Sequence, residues 1–183
     1  MTITAETIHY LNVFLGTGAI ALQIASVALL AIFFARPKQN MVLDFVHKNF
    51  LSIGFILALS AALFSMVYSE IVGFVPCSLC WYQRIFLFPI VFIFGAALWY
   101  RDRNIVKYTL PLLVVGFLIS LYQNFGYYFS DGSTKPCDAS GVSCYQQLIN
   151  EFGGYISIPM LALTSFGSLI VLILVVHFYK KGN

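Results

Sequence analysis

The amino-acid sequence predicts an all-α integral membrane protein, a transmembrane helical bundle with five spans. Of its 183 residues, 60% are hydrophobic and only 9% are charged. A soluble domain of this size needs far more charge to cover its surface. The apolar residues also collect into windows of about 20 residues, the length that crosses a hydrocarbon core of about 30 Å. These windows are residues 12–34, 50–72, 81–100, 108–129 and 158–179.

The first window, residues 12–34, shares only its hydrophobicity with a signal peptide. A signal peptide carries a basic segment before its apolar run and a small-residue cleavage site after it. Residues 1–11 contain no Lys or Arg, and Arg36 and Lys38 follow the run instead. We therefore expect a retained helix with its N-terminus outside the cytoplasm. So little chain remains between the windows that we expect a single membrane domain over residues 1–183.

The orientation is predicted from Lys and Arg in the connections, because cytoplasmic loops carry an excess of these residues. With the N-terminus outside, only Arg84 and Lys135 of the 10 basic residues fall on the outer side. The C-terminus is then cytoplasmic. This asymmetry accounts for the net charge of +3, so we expect no nucleic-acid partner. The cytoplasmic basic residues are Arg36, Lys38, Lys48, Arg101, Arg103, Lys107, Lys180 and Lys181.

All 4 cysteines fall in the two outer connections. Cys77 and Cys80 lie between the second and third windows, and Cys137 and Cys144 lie between the fourth and fifth. Disulfides persist in oxidising compartments outside the cytoplasm. The placement of the cysteines therefore favours disulfide chemistry.

Three kinds of site use cysteine pairs of this kind. A structural disulfide suits Cys137 and Cys144, but it suits Cys77 and Cys80 poorly, because their short interval gives a strained, readily reduced ring. A four-cysteine zinc site also uses C-x-x-C spacing. The interval between Cys137 and Cys144 is longer than usual for zinc, and no histidine lies nearby, so we expect no metal. A redox-active pair, whose disulfide exchanges readily, fits best.

Arg84 follows Cys80 by four residues, which places it one turn away on the same face of the predicted third helix. The helix N-terminus and this fixed positive charge both stabilise a thiolate at Cys80. Electrons taken from a dithiol must leave the protein, and the chain has neither a C-x-x-C-H haem motif nor a glycine-rich nucleotide motif. We therefore expect a bilayer quinone beside Cys80 and Arg84. The alternative for Arg84 is an interfacial arginine that reaches toward lipid headgroups.

The run Cys77-Ser-Leu-Cys80-Trp-Tyr-Gln-Arg84 resembles the C-x-x-C-x-Y-x-R signature of the DsbB family of quinone-dependent disulfide-bond formation proteins. The resemblance covers residues 50–179 and implies a four-helix core, to which residues 12–34 add one N-terminal helix. It also implies a redox loop over residues 130–157. The expected location is the bacterial cytoplasmic (inner) membrane, with the cysteines on the periplasmic side.

The resemblance implies a role for each member of both cysteine pairs. Cys137 would form a mixed disulfide with a DsbA-like thioredoxin-fold dithiol oxidase, and Cys144 would exchange with Cys77. Cys80 would transfer electrons to ubiquinone or menaquinone, with Arg84 on the quinone side. The alternative function is a non-catalytic membrane protein whose outer loops are held by structural disulfides.

Residues outside the signature carry further predictions. Gln123, with Tyr122 and Asn124, occupies the region where some members of the family carry a histidine, which leaves the quinone type open. Glu70, near the end of the second window, either pairs with Arg84 or stays solvated. Residues 143–146 match a helix capping box, which predicts a short helix with Cys144 at its start.

Overall fold

Among the residues that the structure describes, the long elements are five helices, each long and apolar enough to cross a membrane. The computed structural model describes residues 5–35, 40–129 and 152–179. The prediction of an all-α membrane protein with five spans is confirmed. The helices are α1 (Ala5–Ala35), α2 (Met41–Met66), α3 (Ser78–Tyr100), α4 (Val106–Phe129) and α5 (Ile158–Phe178). A π-helical turn (Val67–Ile71) continues α2, and a 3-10 turn (Phe152–Gly154) precedes α5.

The first two helices begin before the hydrophobic windows that cross the membrane. α2 begins at Met41 rather than near residue 50, because the Asn40 side chain caps it by accepting a hydrogen bond from the Val42 N–H at 2.9 Å. α1 likewise begins at Ala5 rather than near residue 12. Hydropathy marks the length of chain that hydrocarbon surrounds, whereas caps decide where a helix begins. Both helices therefore extend beyond their apolar windows.

The buried core is shared by α2, α3, α4 and α5. Two phenylalanine rings pack directly onto glycines of the neighbouring helix: Phe94 of α3 onto Gly54 of α2, and Phe166 of α5 onto Gly116 of α4. Small residues let membrane helices approach closely, and close packing is a main source of association where lipid surrounds the bundle. These contacts fix the spacing of the two helix pairs.

Side-chain hydrogen bonds join α1 to the rest of the bundle. Gln23 donates to Thr164 Oγ1 at 2.7 Å, and Ser26 donates to the Ser168 hydroxyl at 2.9 Å. Both acceptors lie on α5, the helix against which α1 chiefly packs. Polar bonds of this kind hold helices together where the surroundings offer no water. The additional N-terminal helix is thus attached at defined points of the bundle.

Candidate redox site

Cys77 and Cys80 lie at the N-terminus of α3. Cys77 is the N-cap residue, and the helix begins at Ser78, close to the predicted start. The two sulfurs are 3.1 Å apart and are free thiols. The hydrogen bond to Cys80 Sγ, together with burial, raises the pKa of the Cys77 thiol. The direction of this shift favours the protonated form of Cys77.

The helix end adds to the electrostatics of this pair. At Cys77 no side chain makes a capping hydrogen bond, and the backbone N–H groups of Leu79 and Cys80 in the first turn hydrogen-bond to the Cys77 sulfur. These groups and the helix dipole favour negative charge at this end of the helix. The position therefore suits a thiolate at Cys80, which stays a prediction.

One glutamine side chain, from the neighbouring helix α4, approaches both sulfurs. Gln123 of α4 donates through Nε2 to Cys77 Sγ at 3.5 Å and to Cys80 Sγ at 3.6 Å. Its Oε1 accepts a hydrogen bond from Gln83 Nε2 at 2.8 Å. Both amides are buried. The arrangement fixes the direction in which Gln123 presents its N–H groups to the thiol pair.

Arg84 is buried at 6% exposure beside the same helix end. Its Nε donates to Ser65 Oγ at 2.8 Å, its Nη2 donates to Ser65 O at 2.6 Å, and its guanidinium stacks on Trp81 at 5.3 Å. Glu70 instead accepts a hydrogen bond from Ser69. Among the described residues, then, Arg84 has a hydroxyl and a carbonyl as partners, and the considered pairing with Glu70 does not occur.

A cavity of about 600 Å³ opens in front of Cys80 and Arg84 and is called here the acceptor cavity. Its volume falls in the range of about 300–1,000 Å³ typical of small-molecule sites. The walls are mainly apolar side chains of α1, α2, α3 and α5, while Arg84 and Gln83 supply polar groups near Cys80. The Arg84 guanidinium carries more N–H donors than Ser65 uses. The cavity therefore fits a largely apolar molecule with a carbonyl oxygen at one end.

The two cysteines differ in their relation to this cavity. Cys80 lines it, whereas Cys77 is buried at the start of α3 and is absent from the lining. A ligand in the cavity therefore meets Cys80 first. Cys137 and Cys144, together with the capping box at residues 143–146, lie outside the described residues.

Sequence reasoning missed two contributions to the site. Gln123 was noted only for its place in the chain, and Ser65 was not considered at all. For Gln123 the sequence did contain a signal: two adjacent apolar windows each carry a glutamine, Gln83 and Gln123. Polar side chains inside a span usually bond to another helix. Of the neighbours of Gln123, Asn124 bonds to Pro159 O of α5 at 2.8 Å, while Tyr122 is exposed.

Comparison with known proteins relates most of the chain to one family. Residues 47–176 match the family model described as "Disulfide bond formation protein DsbB". The chain is 42% identical to "Disulfide bond formation protein C" of Bacillus subtilis over 135 residues, 73% of this chain and 94% of that protein. It is 36% identical to "Probable disulfide formation protein C 2" of Bacillus anthracis over 138 residues, 75% of this chain and 97% of that protein.

A more distant relative extends the same result. The chain is 32% identical to "Probable disulfide formation protein" of Chlamydia pneumoniae over 140 residues, 76% of this chain and 99% of that protein. No solved structure matches the chain at a significant level. These three relatives are aligned over 94% to 99% of their own length, whereas the alignments cover 73% to 76% of this chain.

Proposed function

Since the chain belongs to the DsbB family of disulfide bond formation proteins, we propose that it is a membrane thiol:quinone oxidoreductase. It reoxidises a DsbA-like thioredoxin-fold dithiol carrier and passes the electrons to a membrane quinone. Membership of the family supports a role in disulfide formation. The quinone, the carrier and the residue roles are the parts that we add.

One observation carries the proposal: a close thiol pair lies at a helix N-terminus, and only its Cys80 member lines a cavity that also holds a buried arginine. A structural disulfide needs neither a cavity nor a cation. A buried positive charge without an acidic partner is costly, and Arg84 has no such partner among the described residues. Negative charge that develops beside it during a reaction offsets that cost.

In the first half of the reaction, a reduced carrier dithiol attacks the Cys137–Cys144 disulfide. The carrier leaves as a disulfide, with Cys137 as the site of the mixed disulfide, and the loop pair becomes a dithiol. Cys144 then attacks Cys77 of a Cys77–Cys80 disulfide and releases Cys80 as a thiolate. Cys137 attacks Cys144 of the resulting Cys77–Cys144 bridge, which re-forms the loop disulfide and leaves the electron pair on the Cys77 and Cys80 thiols.

In the second half, this chain's residues prepare Cys80 to give up the electron pair. Gln123 orients both sulfurs, the α3 N-terminus favours the Cys80 thiolate, and Arg84 holds positive charge at the wall where it would bind a ring carbonyl. A bound quinone supplies the acceptor for the electron pair and for the accompanying protons. The Cys77–Cys80 disulfide re-forms as the pair is oxidised, which completes the cycle.

We place the protein in the bacterial cytoplasmic (inner) membrane, with both cysteine pairs on the periplasmic side. The support is the distribution of Lys and Arg, which predicts the cysteine side as the outer side. A carrier that introduces disulfides into other proteins operates in such an oxidising compartment.

The test is quinone reduction by the purified full-length protein in detergent, with a reduced thioredoxin-fold carrier, followed by the loss of quinone absorbance. Cys80→Ser should abolish turnover. Arg84→Ala should raise the apparent KM for quinone about tenfold or more, because a hydrogen bond to a charged group is worth about 1.5–3 kcal/mol. Arg103→Ala is the matched control: Arg103 also stacks on an aromatic ring, Phe50, but does not line the acceptor cavity.

Full turnover in Cys80→Ser would refute the proposal. The same KM in the Arg84 and Arg103 variants would remove Arg84 from the quinone site. If folded, oxidised protein reduces no quinone with any carrier, and its cysteine bridges resist mild reductant, the non-catalytic alternative with structural disulfides replaces the proposal.

A further inference from the structure

The additional helix α1 lies wholly outside residues 47–176, the part of the chain that matches the family. It nevertheless forms one side of the acceptor cavity, to which it contributes Phe14, Gly18, Ala21 and Ala25. These residues follow one another at intervals of four, three and four positions. They therefore share one face of the helix.

Hydrogen bonds fix α1 to both sides of this cavity. Near the cysteine end, Tyr68 of the π-helical turn donates to Asn12 Oδ1 at 2.7 Å, and Asn12 is buried. Further along the helix, Gln23 donates to Thr164 of α5 at 2.7 Å. Tyr68 and Thr164 themselves line the cavity. α1 thus bridges two of the elements that enclose it, as a fixed wall of the cavity.

The small residues on this face leave open space along the helix. A Cβ atom added at Gly18 would meet nothing within 4 Å. The lining from Phe14 to Ala25 extends for about 16 Å at the rise of an α-helix. The Arg84 guanidinium and the Cys80 thiol lie at one end of the cavity, whereas the α1 residues that line it are all apolar. The space therefore suits a molecule with a polar ring at one end and an apolar chain along the rest.

We infer that α1 walls in the apolar tail of the acceptor, and that Gly18, Ala21 and Ala25 provide the room in which this tail lies. The inference rests on the function proposed above and extends it: the helix outside the family match selects acceptors by their tail. An acceptor that consists of the ring alone gains nothing from this wall.

The test uses the full-length protein with Ala21→Leu or Ala25→Leu. Binding is measured by quenching of Trp81 fluorescence, in a Trp99→Phe background that removes the other tryptophan of the chain. Two quinones with the same ring are compared, one with a long prenyl tail and one without a tail. The long-tailed quinone should bind about tenfold more weakly to the variants, because displacing about two methylene groups from an apolar site costs that much.

Ala28→Leu is the matched control, since Ala28 lies on the same helix but does not line the cavity. It should bind both quinones as the parent does, and the tailless quinone should bind equally to all proteins. Equal affinity of the long-tailed quinone for all proteins would overturn the inference and leave the proposed function intact. Loss of co-purified phospholipid without any effect of the quinone tail would overturn it in favour of a lipid chain. If neither quinone quenches the parent, the proposed function fails as well.

Discussion

At the scale of single residues, buried polar groups define the site. Arg84 and Gln123 are both almost fully buried, and each bonds to a neutral partner on another helix: Ser65 for the arginine, Gln83 for the amide. Neutral partners leave the charge of the guanidinium uncompensated. The site therefore stabilises negative charge on a neighbouring sulfur or on a bound molecule more than an ion pair would.

The contact of Gln123 with both sulfurs gives a prediction at this scale. In Gln123→Leu, the Cys80 thiolate loses an N–H donor, and a hydrogen bond to a charged group is worth about 1.5–3 kcal/mol. We expect alkylation of reduced Cys80 at fixed pH to slow by about tenfold or more. Mass spectrometry of the labelled peptides distinguishes Cys80 from the other thiols.

Gln23→Leu provides the control for this measurement, because it makes the same change in α1 without touching a sulfur. It should leave the alkylation rate of Cys80 unchanged. Equal rates in parent and Gln123→Leu would show that the amide only packs against the thiol pair.

At the scale of elements, glycine and phenylalanine set the contact between paired helices. A Cβ at Gly116 would collide with the ring of Phe166, whose position is fixed by a close-packed core. Overpacking of this kind costs about 1–3 kcal/mol. α4 and α5 must therefore separate, or the ring must leave its position, when this glycine is replaced.

We expect Gly116→Ala to lower the Tm of the detergent-solubilised protein by several degrees, as measured by circular dichroism. Gly167→Ala makes the same substitution on α5, where the added Cβ would lie at an ordinary 3.4 Å from Phe117. It should leave the Tm nearly unchanged. Similar shifts in the two variants would mean that the glycine contact does not determine the α4–α5 spacing.

At the scale of the whole molecule, the Cys77–Cys80 pair and the basic connection between α3 and α4 lie at opposite ends of α3. α3 begins beside Cys77 and ends at Arg101, and Arg103 donates a hydrogen bond to His47 O near the start of α2. The basic connection between α3 and α4 is thus joined to the basic start of α2, away from the thiols. In the predicted orientation, with this basic connection in the cytoplasm, the Cys77–Cys80 pair would lie on the outer side.

The predicted orientation is tested with reporter fusions to the full chain in a bacterium. Green fluorescent protein at the C-terminus should fluoresce, since it folds in the cytoplasm, while alkaline phosphatase at the same position should be inactive. Alkaline phosphatase inserted in the loop between α4 and α5 should be active. The opposite pattern would place the cysteines in the cytoplasm and contradict the proposed function.

The sequence by itself determined the number of spans, the helical class and the Cys77–Cys80–Arg84 motif. These features depend on hydrophobic length and on spacing along one helix, which are local properties of the chain. The family resemblance drawn from the same motif is confirmed by the match over residues 47–176. The roles of all four cysteines and of Arg84 remain predictions.

Only the tertiary structure decided which side chains meet across helices. It placed Ser65 rather than Glu70 on Arg84, brought Gln123 to the sulfurs, and made α1 a wall of the acceptor cavity. The physical reason is that these helices are apolar on nearly all sides. In a soluble protein, the polar face of an amphipathic helix shows which face is buried. A helix in lipid can turn any of its apolar faces inward, so packing against the other helices decides which face is buried.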